Sequence, residues 1–489
     1  MTPSRLQRLV RASLLVGALA LGAGLPATAV ASGLSLLPPG TLWSGPASSD
    51  PAAWHFNPAG AAFLPGSALH VSGGLVVGNI RYTRERLAQY QYPDSFDFAL
   101  PINQDRIDPS LTGPADSVSS QPIAPIGEVF GVLQPGADSP FRLGLGIYTP
   151  YGAILNMPSD GPQRWQIEQV TILNLAITPA VAWQISDQFS VGVSMPTYAG
   201  TASLRRTQDL AEVGILGDAI SGPPINQVND FGPDAPPAVR ELDVLSRPFV
   251  FRDGRAFSPT FAVGAMLRPS ERFSAGVSYT HRARMNYRGE FQLDMNDDFF
   301  TQDVADQGLQ YDALVTGDAS LAYTLPWTAR AGIQTLIGER HTVFSSLAVV
   351  GWNTVDSFDL RTQSAGLAQP EVGLPDTLGL SIPRNWNRTV EIDAAHAIDF
   401  GARLSWIYSL GWHSPASPDE WMDLAAIDGQ RLIWGTGVRV HLNAGLSLVA
   451  DLRGQNVLQR TVANRRYDTA NGTYGLTLMR ANAALQWVF

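Results

Sequence analysis

The 489-residue chain has no cysteine, carries charge on only 16% of its residues, and lacks an apolar run long enough to cross a bilayer as a helix. Without cysteine it can carry neither a lipid-anchoring thiol nor a disulfide framework, so outside the cytosol its stability must come from something else, such as a large closed sheet. A formal net charge of -10 argues against nucleic acid, which calls for a basic surface. Low-complexity and charge-run linkers are also missing, which leaves one very large folded unit as the expectation. Neither H-E-x-x-H nor G-x-S-x-G occurs, and the seven histidines show no metal-ligand spacing. His55, His281 and His413 are therefore read as structural or solvated. No enzyme activity, metal or cofactor is expected.

What is present begins with a basic N-terminus (Arg5, Arg8, Arg11), an apolar run from Ala12 to Leu21 and the small-residue site Ala29-Val30-Ala31. The run falls short of the roughly 20 residues of a membrane helix, so residues 1–31 read as a secretory signal peptide cleaved before Ser32. Beyond it the hydrophobic period is two. In "NAGLSLVADLRGQ" Ala444, Leu446, Leu448, Ala450 and Leu452 share a face, and "RFSAGVSYTHRARMNYRGE" places Phe273, Val277, Ala283, Met285 and Tyr287 opposite Arg282, Arg284 and Arg288. Strands of this length suit a tilted membrane strand of about ten residues better than soluble strands of about five or six. The chain ends on such a strand, with Trp487 and Phe489 on its apolar face, the usual ending and assembly signal of an outer-membrane barrel.

Marking every alternating segment predicts about fourteen strands, starting near Ala68, Ala124, Phe141, Val170, Gln188, Phe257, Arg272, Asp318, Arg340, Arg388, Asp399, Gln430, Asn443 and Gly472. The connections after even-numbered strands are tight and most after odd-numbered ones are long, the pattern of periplasmic turns and external loops. Because lipid offers no hydrogen-bond partner, the sheet must close. Tyr and Trp near strand ends suit an interfacial belt. The fold expected is all-β, a transmembrane antiparallel barrel over residues 68–489, in the outer membrane of a Gram-negative bacterium. The segment "DPAAWHFNPAGAAFLPGS" does not alternate. Gly45, Gly60 and Gly66 with Pro46, Pro51, Pro58 and Pro65 set turns at short intervals, and Trp54, Phe56 and Phe63 are available to pack on the inner wall.

The chain resembles the FadL family of outer-membrane transporters of long-chain fatty acids and other hydrophobic compounds. The resemblance is carried by Asn57-Pro58-Ala59, "GLGIYTPYG", "TPAVAWQISDQFSVGVS", "LPWTARAGIQ", "GWNTVDSFDL", the stretch from "NWNRTVEID" to "GWHSPASP", and "NGTYGL". It implies that residues 32–67 form an N-terminal hatch inside the lumen, with Asn57, Pro58 and Ala59 at its gate. It also implies a kinked third strand opening the wall sideways at Pro150, Tyr151 and Gly152, where Pro removes a ladder donor and Gly leaves a gap unfilled. Passive uptake would follow, with the ligand adsorbing on external-loop residues Leu210, Val213, Ile215, Leu216, Phe299 and Phe300. A carboxylate ligand calls for a lumen cation, for which Arg282, Arg284 and Arg361 are the candidates. The family's fatty-acid members carry a basic residue at the end of the fifth strand; here "TYAGTASLRR" delays it to Arg205 and Arg206. The partners expected are a hydrophobic small molecule, outer-membrane lipid and lipopolysaccharide, and the barrel assembly machinery, with the protein a monomer. An aromatic-hydrocarbon channel of the same family is the alternative, followed by a general porin or a lipid hydrolase.

Overall fold

Period-two alternation over long segments gives a sheet with one apolar face, and such a sheet meets its own backbone hydrogen-bonding demand in lipid only by closing. The computed structural model describes residues 34–85, 117–209, 246–303, 310–370, 375–462 and 470–489. The expected signal peptide and Leu210, Val213, Ile215 and Leu216 lie outside the described residues.

Fourteen antiparallel strands pair in chain order. They are β1 (Ala68–Arg84), β2 (Ser117–Ser120 and Ile123–Leu133), β3 (Phe141–Asn156), β4 (Gln169–Gln184) and β5 (Phe189–Ser194 and Thr197–Asp209). Next come β6 (Ser246–Pro259 and Ala262–Ser270), β7 (Phe273–Thr280 and Ala283–Asp294), β8 (Leu314–Leu325 and Thr328–Ile337), β9 (His341–Val350 and Ser357–Gln363) and β10 (Thr377–Pro383 and Thr389–Phe400). The last four are β11 (Leu404–His413), β12 (Arg431–His441), β13 (Leu446–Val462) and β14 (Gly472–Val488). β14 returns to β1 in unbroken register from Ala68–Val488 to Arg84–Gly472, which closes the barrel. Several of the expected starts move: β2 begins at Ser117 instead of Ala124, β8 at Leu314 instead of Asp318, and β10 at Thr377 instead of Arg388. β6 begins at Ser246, well before Phe257, and β10 runs on to Phe400, so the turn precedes Leu404 instead of Asp399.

The wall reverses its polarity along its length. In the half nearer the tight turns, outward side chains are apolar, including Val71, Leu75, Val193, Val277, Leu347 and Leu410. The inward ones there are polar: His70, Ser72, Glu128, Ser190, Arg453 and Arg480 are all buried. In the half nearer the loops the inward residues are apolar, among them Tyr82, Phe251, Tyr287, Phe291, Leu321 and Leu360. Strands β5 to β10 break near the changeover, at residues 195–196, 260–261, 281–282, 326–327, 351–356 and 384–388. Within β7 the break also flips the inward set from Ser274 and Ser278 to Ala283, Met285 and Tyr287. Its apolar residues therefore do not share one face. The outward face needs lipid-compatible side chains only where lipid touches it, and beyond that level water permits charge.

Both ends of the interior are occupied. The segment 414–430 folds into the loop end, burying Met422, Leu424 and Ile427, with the Leu424 N–H donating to Gln166 Oε1 at 2.9 Å. Residues 34–67 fill the other end.

Candidate functional site

Residues 34–67 touch the wall on almost every side, and small wall residues make the approach possible. A four-residue helix, α1 (Ala53–Phe56), is followed by a 3-10 turn, Pro58–Phe63, whose cap is Asn57 with proline at the first position. Proline is preorganised there, since its missing N–H would have had no partner. Asn57 is fully buried: its Nδ2 donates to Pro46 O at 2.8 Å and to the wall carbonyl of Ala265 at 3.0 Å, while its Oδ1 accepts from the Ala59 N–H at 3.2 Å. The wall beneath is glycine. A Cβ on Gly192 would lie 2.5 Å from Ala59 N, one on Gly264 2.0 Å from Asn57 Oδ1, and one on Gly276 2.0 Å from Pro46 O. Gly192 and Gly264 are register partners, as are Gly276 and Gly332. Side chains there would keep the turn off the wall.

Wall serines and arginines complete the seat. Ser190, Ser274 and Ser278 hydroxyls donate to the carbonyls of Ala59, Ala47 and Phe56 at 2.9, 2.7 and 2.6 Å. Arg142 reaches Leu64 O at 2.8 Å, and the Trp54 indole donates to Gly131 O at 3.0 Å. Arg453 and Arg480 both donate to Pro38 O at 2.9 Å, and their charges are held by Asp451 and Glu128, each at 2.8 Å. Buried charges without such partners would be costly. Phe56 and Phe63 are buried as expected. His55, edge-on to Tyr148 at 5.1 Å, is held well below the usual imidazole range by burial and then by the Arg330 charge, so it is neutral at neutral pH.

The wall itself is open between β2 and β3. These strands pair only where residues 129–133 face 143–147. Above that level β2 stays with β1 and β3 stays with β4, whose ladder slips register between Tyr148 and Tyr151. Pro150 offers no N–H, so the ladder loses a bond at that point. The free edge of β3 is taken by the N-terminal segment: the Leu36 N–H donates to Pro150 O at 3.1 Å, the Gly152 N–H donates to Leu34 O at 2.9 Å, and Ser35 bridges Tyr151. At the top, the Asn156 N–H donates to Ser120 Oγ at 3.4 Å. Pro150, Tyr151 and Gly152 thus line a gap filled from inside by residues 34–36, which sequence reasoning had not placed there. The alternation Leu34-Ser35-Leu36 was the available signal.

From the gap an aromatic column runs inward. Tyr151 packs on Tyr198 at 5.9 Å and on Trp352 at 6.1 Å, Trp352 on Trp386 at 5.4 Å, and Trp386 on Phe358 at 5.9 Å. At its far end Tyr287 and Tyr323 share Asn174. A cavity of about 190 Å³ lies between the N-terminal segment and strands β8 to β13, touching Tyr151, Phe56, Arg330, Asp393 and His413. Its acids are engaged: His413 lies 3.1 Å from Asp393 and 3.8 Å from Glu391. Arg330 faces inward, with no hydrogen bond or ion pair among the described residues.

The lumen cations expected from sequence are not in the lumen. Arg282, Arg284 and Arg361 are exposed on the outer face, because at their level the barrel turns its apolar residues inward. Arg205 pairs with Glu168 at 2.9 Å, and Arg206 is buried. Phe300 is not a surface patch: it is buried against Tyr311 and lies under the Arg247 guanidinium. The Phe299 side chain lies outside the described residues. Trp487 and Phe489 are exposed at the turn end with rings 4.5 Å apart, and the Phe489 N–H donates to Ser67 O at 2.9 Å.

The fold is thus a closed fourteen-strand barrel, filled at one end by residues 34–67, whose third strand leaves the second beyond residue 147. The sequence profile of outer membrane protein transport proteins (OMPP1/FadL/TodX) matches residues 19–392. The chain belongs to this family. It is therefore an outer-membrane transport protein, and the FadL resemblance read from the sequence holds. Similar solved structures include a Pseudomonas aeruginosa FadL homologue (17% identity, 91% of this chain and 96% of that one covered, TM-score 0.69). The Ralstonia pickettii toluene transporter TbuX follows at 15% identity, 91% and 96% coverage and TM-score 0.59. The Pseudomonas putida toluene transporter TodX gives 13% identity, 90% and 94% coverage and TM-score 0.60. At these identities the likeness shows the fold. No curated relative matches by sequence.

Proposed function

We propose that the protein carries a hydrophobic small molecule passively across the outer membrane and releases it sideways into the bilayer through the β2–β3 gap. The observation that carries this reading is the edge of β3 that β2 leaves, held instead by residues 34–36 and backed by the aromatic column from Tyr151 to Tyr323. An apolar ligand is poorly placed in water, and a path from the loop end through an apolar interior to lipid never exposes it. Displacing residues 34–36 opens the gap, and Asn57-Pro58-Ala59 anchors the segment that must move. No energy source is required when the ligand is consumed or partitions away on the far side.

Two ligand classes are separated by size and charge. A cavity of about 150 Å³ is enough for benzene, so the space of about 190 Å³ takes a single aromatic ring with the hatch in place. A long-chain fatty acid needs the hatch displaced, and Arg330 is the inward cation available for its carboxylate. The test is uptake of labelled oleate and of toluene by cells carrying the intact protein, a form lacking residues 57–59, or Arg330→Gln. The proposal expects both ligands to enter above the empty-cell level, with oleate alone reduced several-fold by Arg330→Gln. Uptake equal to empty cells for both ligands would end the transport reading, and a steady ion conductance through the intact protein would make it a porin.

A further inference from the structure

The outer face of β6 to β9, just above the level where the wall changes polarity, carries an unusual row of charge. Arg255 on β6 is the register partner of Arg288 on β7; Arg288 faces Ser320 on β8, and Ser320 faces Arg361 on β9. All three arginines are exposed. Like charges directly opposite on neighbouring strands repel. Closer to the break, Arg282 and Arg284 line an outward groove of about 450 Å³ whose other wall holds Asp356 and Asp359. Among the described residues none of these five arginine side chains has a hydrogen bond or ion pair, although Arg252 on the same face does pair with Glu290 at 3.1 Å. The five arginines share this quadrant with exposed Asp253, Glu290 and Asp318 as well as with Asp356 and Asp359, yet among the described residues they form no ion pair with any of them. The chain has no lysine, so each is a guanidinium fork, a shape that matches phosphate oxygens two at a time.

Position identifies the counter-ion. Immediately below the groove the outward side chains form an aromatic girdle, with the Phe261 ring stacked on His281 at 5.0 Å and Tyr279 within 6.3 Å of both Phe261 and Trp327. Below that lie apolar residues such as Val263, Leu267, Val277 and Ile333. Aromatic belts mark the lipid interface, so the arginines stand at headgroup height, on the end that carries the long loops. The two acids add a second recognition chemistry. Asp359 already accepts the hydroxyls of Ser357 at 2.7 Å and Ser381 at 2.8 Å, the kind of bond a sugar hydroxyl offers.

We propose that this face binds the phosphorylated sugar headgroup of an outer-leaflet glycolipid. Arg255, Arg284, Arg288 and Arg361 hold phosphate, Arg282 closes the groove, and Asp356 and Asp359 accept from sugar hydroxyls. A bound phosphate between Arg255 and Arg288 turns a repulsive pair into a bridged one.

The test is titration of the purified full-length protein in non-ionic detergent with diphosphorylated lipid A, with the same glycolipid stripped of its phosphates, and with inorganic phosphate, read by native mass spectrometry. The variants are the triple Arg255→Gln, Arg288→Gln, Arg361→Gln and, as an equal loss of charge at the turn end, the triple Arg272→Gln, Arg340→Gln, Arg403→Gln. Folding is checked by the heat-dependent shift in gel mobility, and the single Arg288→Gln replaces the first triple if that triple does not fold. The proposal expects at least a tenfold loss of lipid A affinity for the first triple (several-fold for the single), less than twofold for the second, and weak binding of the dephosphorylated lipid. Three results would overturn it: equal losses in both triples, equal binding of the dephosphorylated lipid, or displacement of lipid A by millimolar inorganic phosphate, which would mark a site for free anions.

Discussion

Asn57→Ala tests the seating of the hatch most directly. The substitution removes two donated bonds and one accepted bond inside a site closed to water, so that Pro46 O and the Ala59 N–H lose their Asn57 partner and Ala265 O keeps only its place in the strand ladder. At roughly 0.5–1.5 kcal/mol of net stabilisation per hydrogen bond, the loss is about 2–4 kcal/mol. Because every 1.4 kcal/mol is tenfold, the displaced state rises by about 30-fold to several hundred-fold. The remaining anchors, from Ser190, Ser274, Ser278 and Arg142, keep the seated state dominant. The assay is single-channel recording in planar bilayers, where open events should become more frequent by that factor without a change in the barrel's folded fraction. Asn57→Asp separates the causes: it keeps the volume and the acceptor but loses both donors and sets a carboxylate against two carbonyl oxygens. It should open the channel at least as often as alanine does. A folded Asn57→Ala barrel with wild-type open frequency would refute the idea that this turn holds the hatch.

Other outcomes follow from charge and from the chain's end. His55 is a base whose folded pKa lies below its unfolded value of 6.5, so its contribution is complete above pH 6.5 and is lost as pH falls below it, where the unseated state takes a proton. Open events should therefore rise between pH 7.5 and 5, and His55→Phe should flatten that dependence. Asp428 has the opposite sign: burial, only partly offset by Arg431, raises its carboxyl from 3.8 to about 6, so the 414–430 segment is most stable below pH 3.8 and loosens as pH rises through about 6. The protection of the Ala416 and Ser417 amides, which donate to Asp428 Oδ2 at 2.5 and 2.6 Å, relative to their intrinsic exchange rates should fall over that window. Deleting Phe489 removes a bond to Ser67 and one ring of an exposed aromatic pair. It should lower the amount of folded barrel in the outer membrane without lowering the total amount of the chain made, as read by fractionation.

The barrel was legible because its information is local. Alternation in "NAGLSLVADLRGQ" and the rhythm of short and long connections each repeat along the chain, and fourteen strands follow from counting them. The ladder slip beside Pro150 was legible too, since Pro150 and Gly152 state a backbone fact wherever they occur in a strand. What alternation cannot supply is which face points inward. Period two says that Arg282, Arg284 and Arg288 lie opposite Ala283, Met285 and Tyr287, and it says so correctly. Assigning the arginines to the lumen required one further rule, that apolar means outward, and that rule holds only where lipid touches the wall.

The two-residue break at 281–282 marks where the rule stops. Below it Val277 faces lipid and Ser278 donates to the Phe56 carbonyl of the hatch; above it Tyr287 faces the interior and Arg288 faces out. The same reversal explains why inward arginines such as Arg453 and Arg480 sit in the lower half, where the hatch supplies carbonyls and Asp451 and Glu128 supply charge. One sheet thereby offers a polar seat for residues 34–67, an apolar column inside its loop half and a charged collar on the outer face of that half.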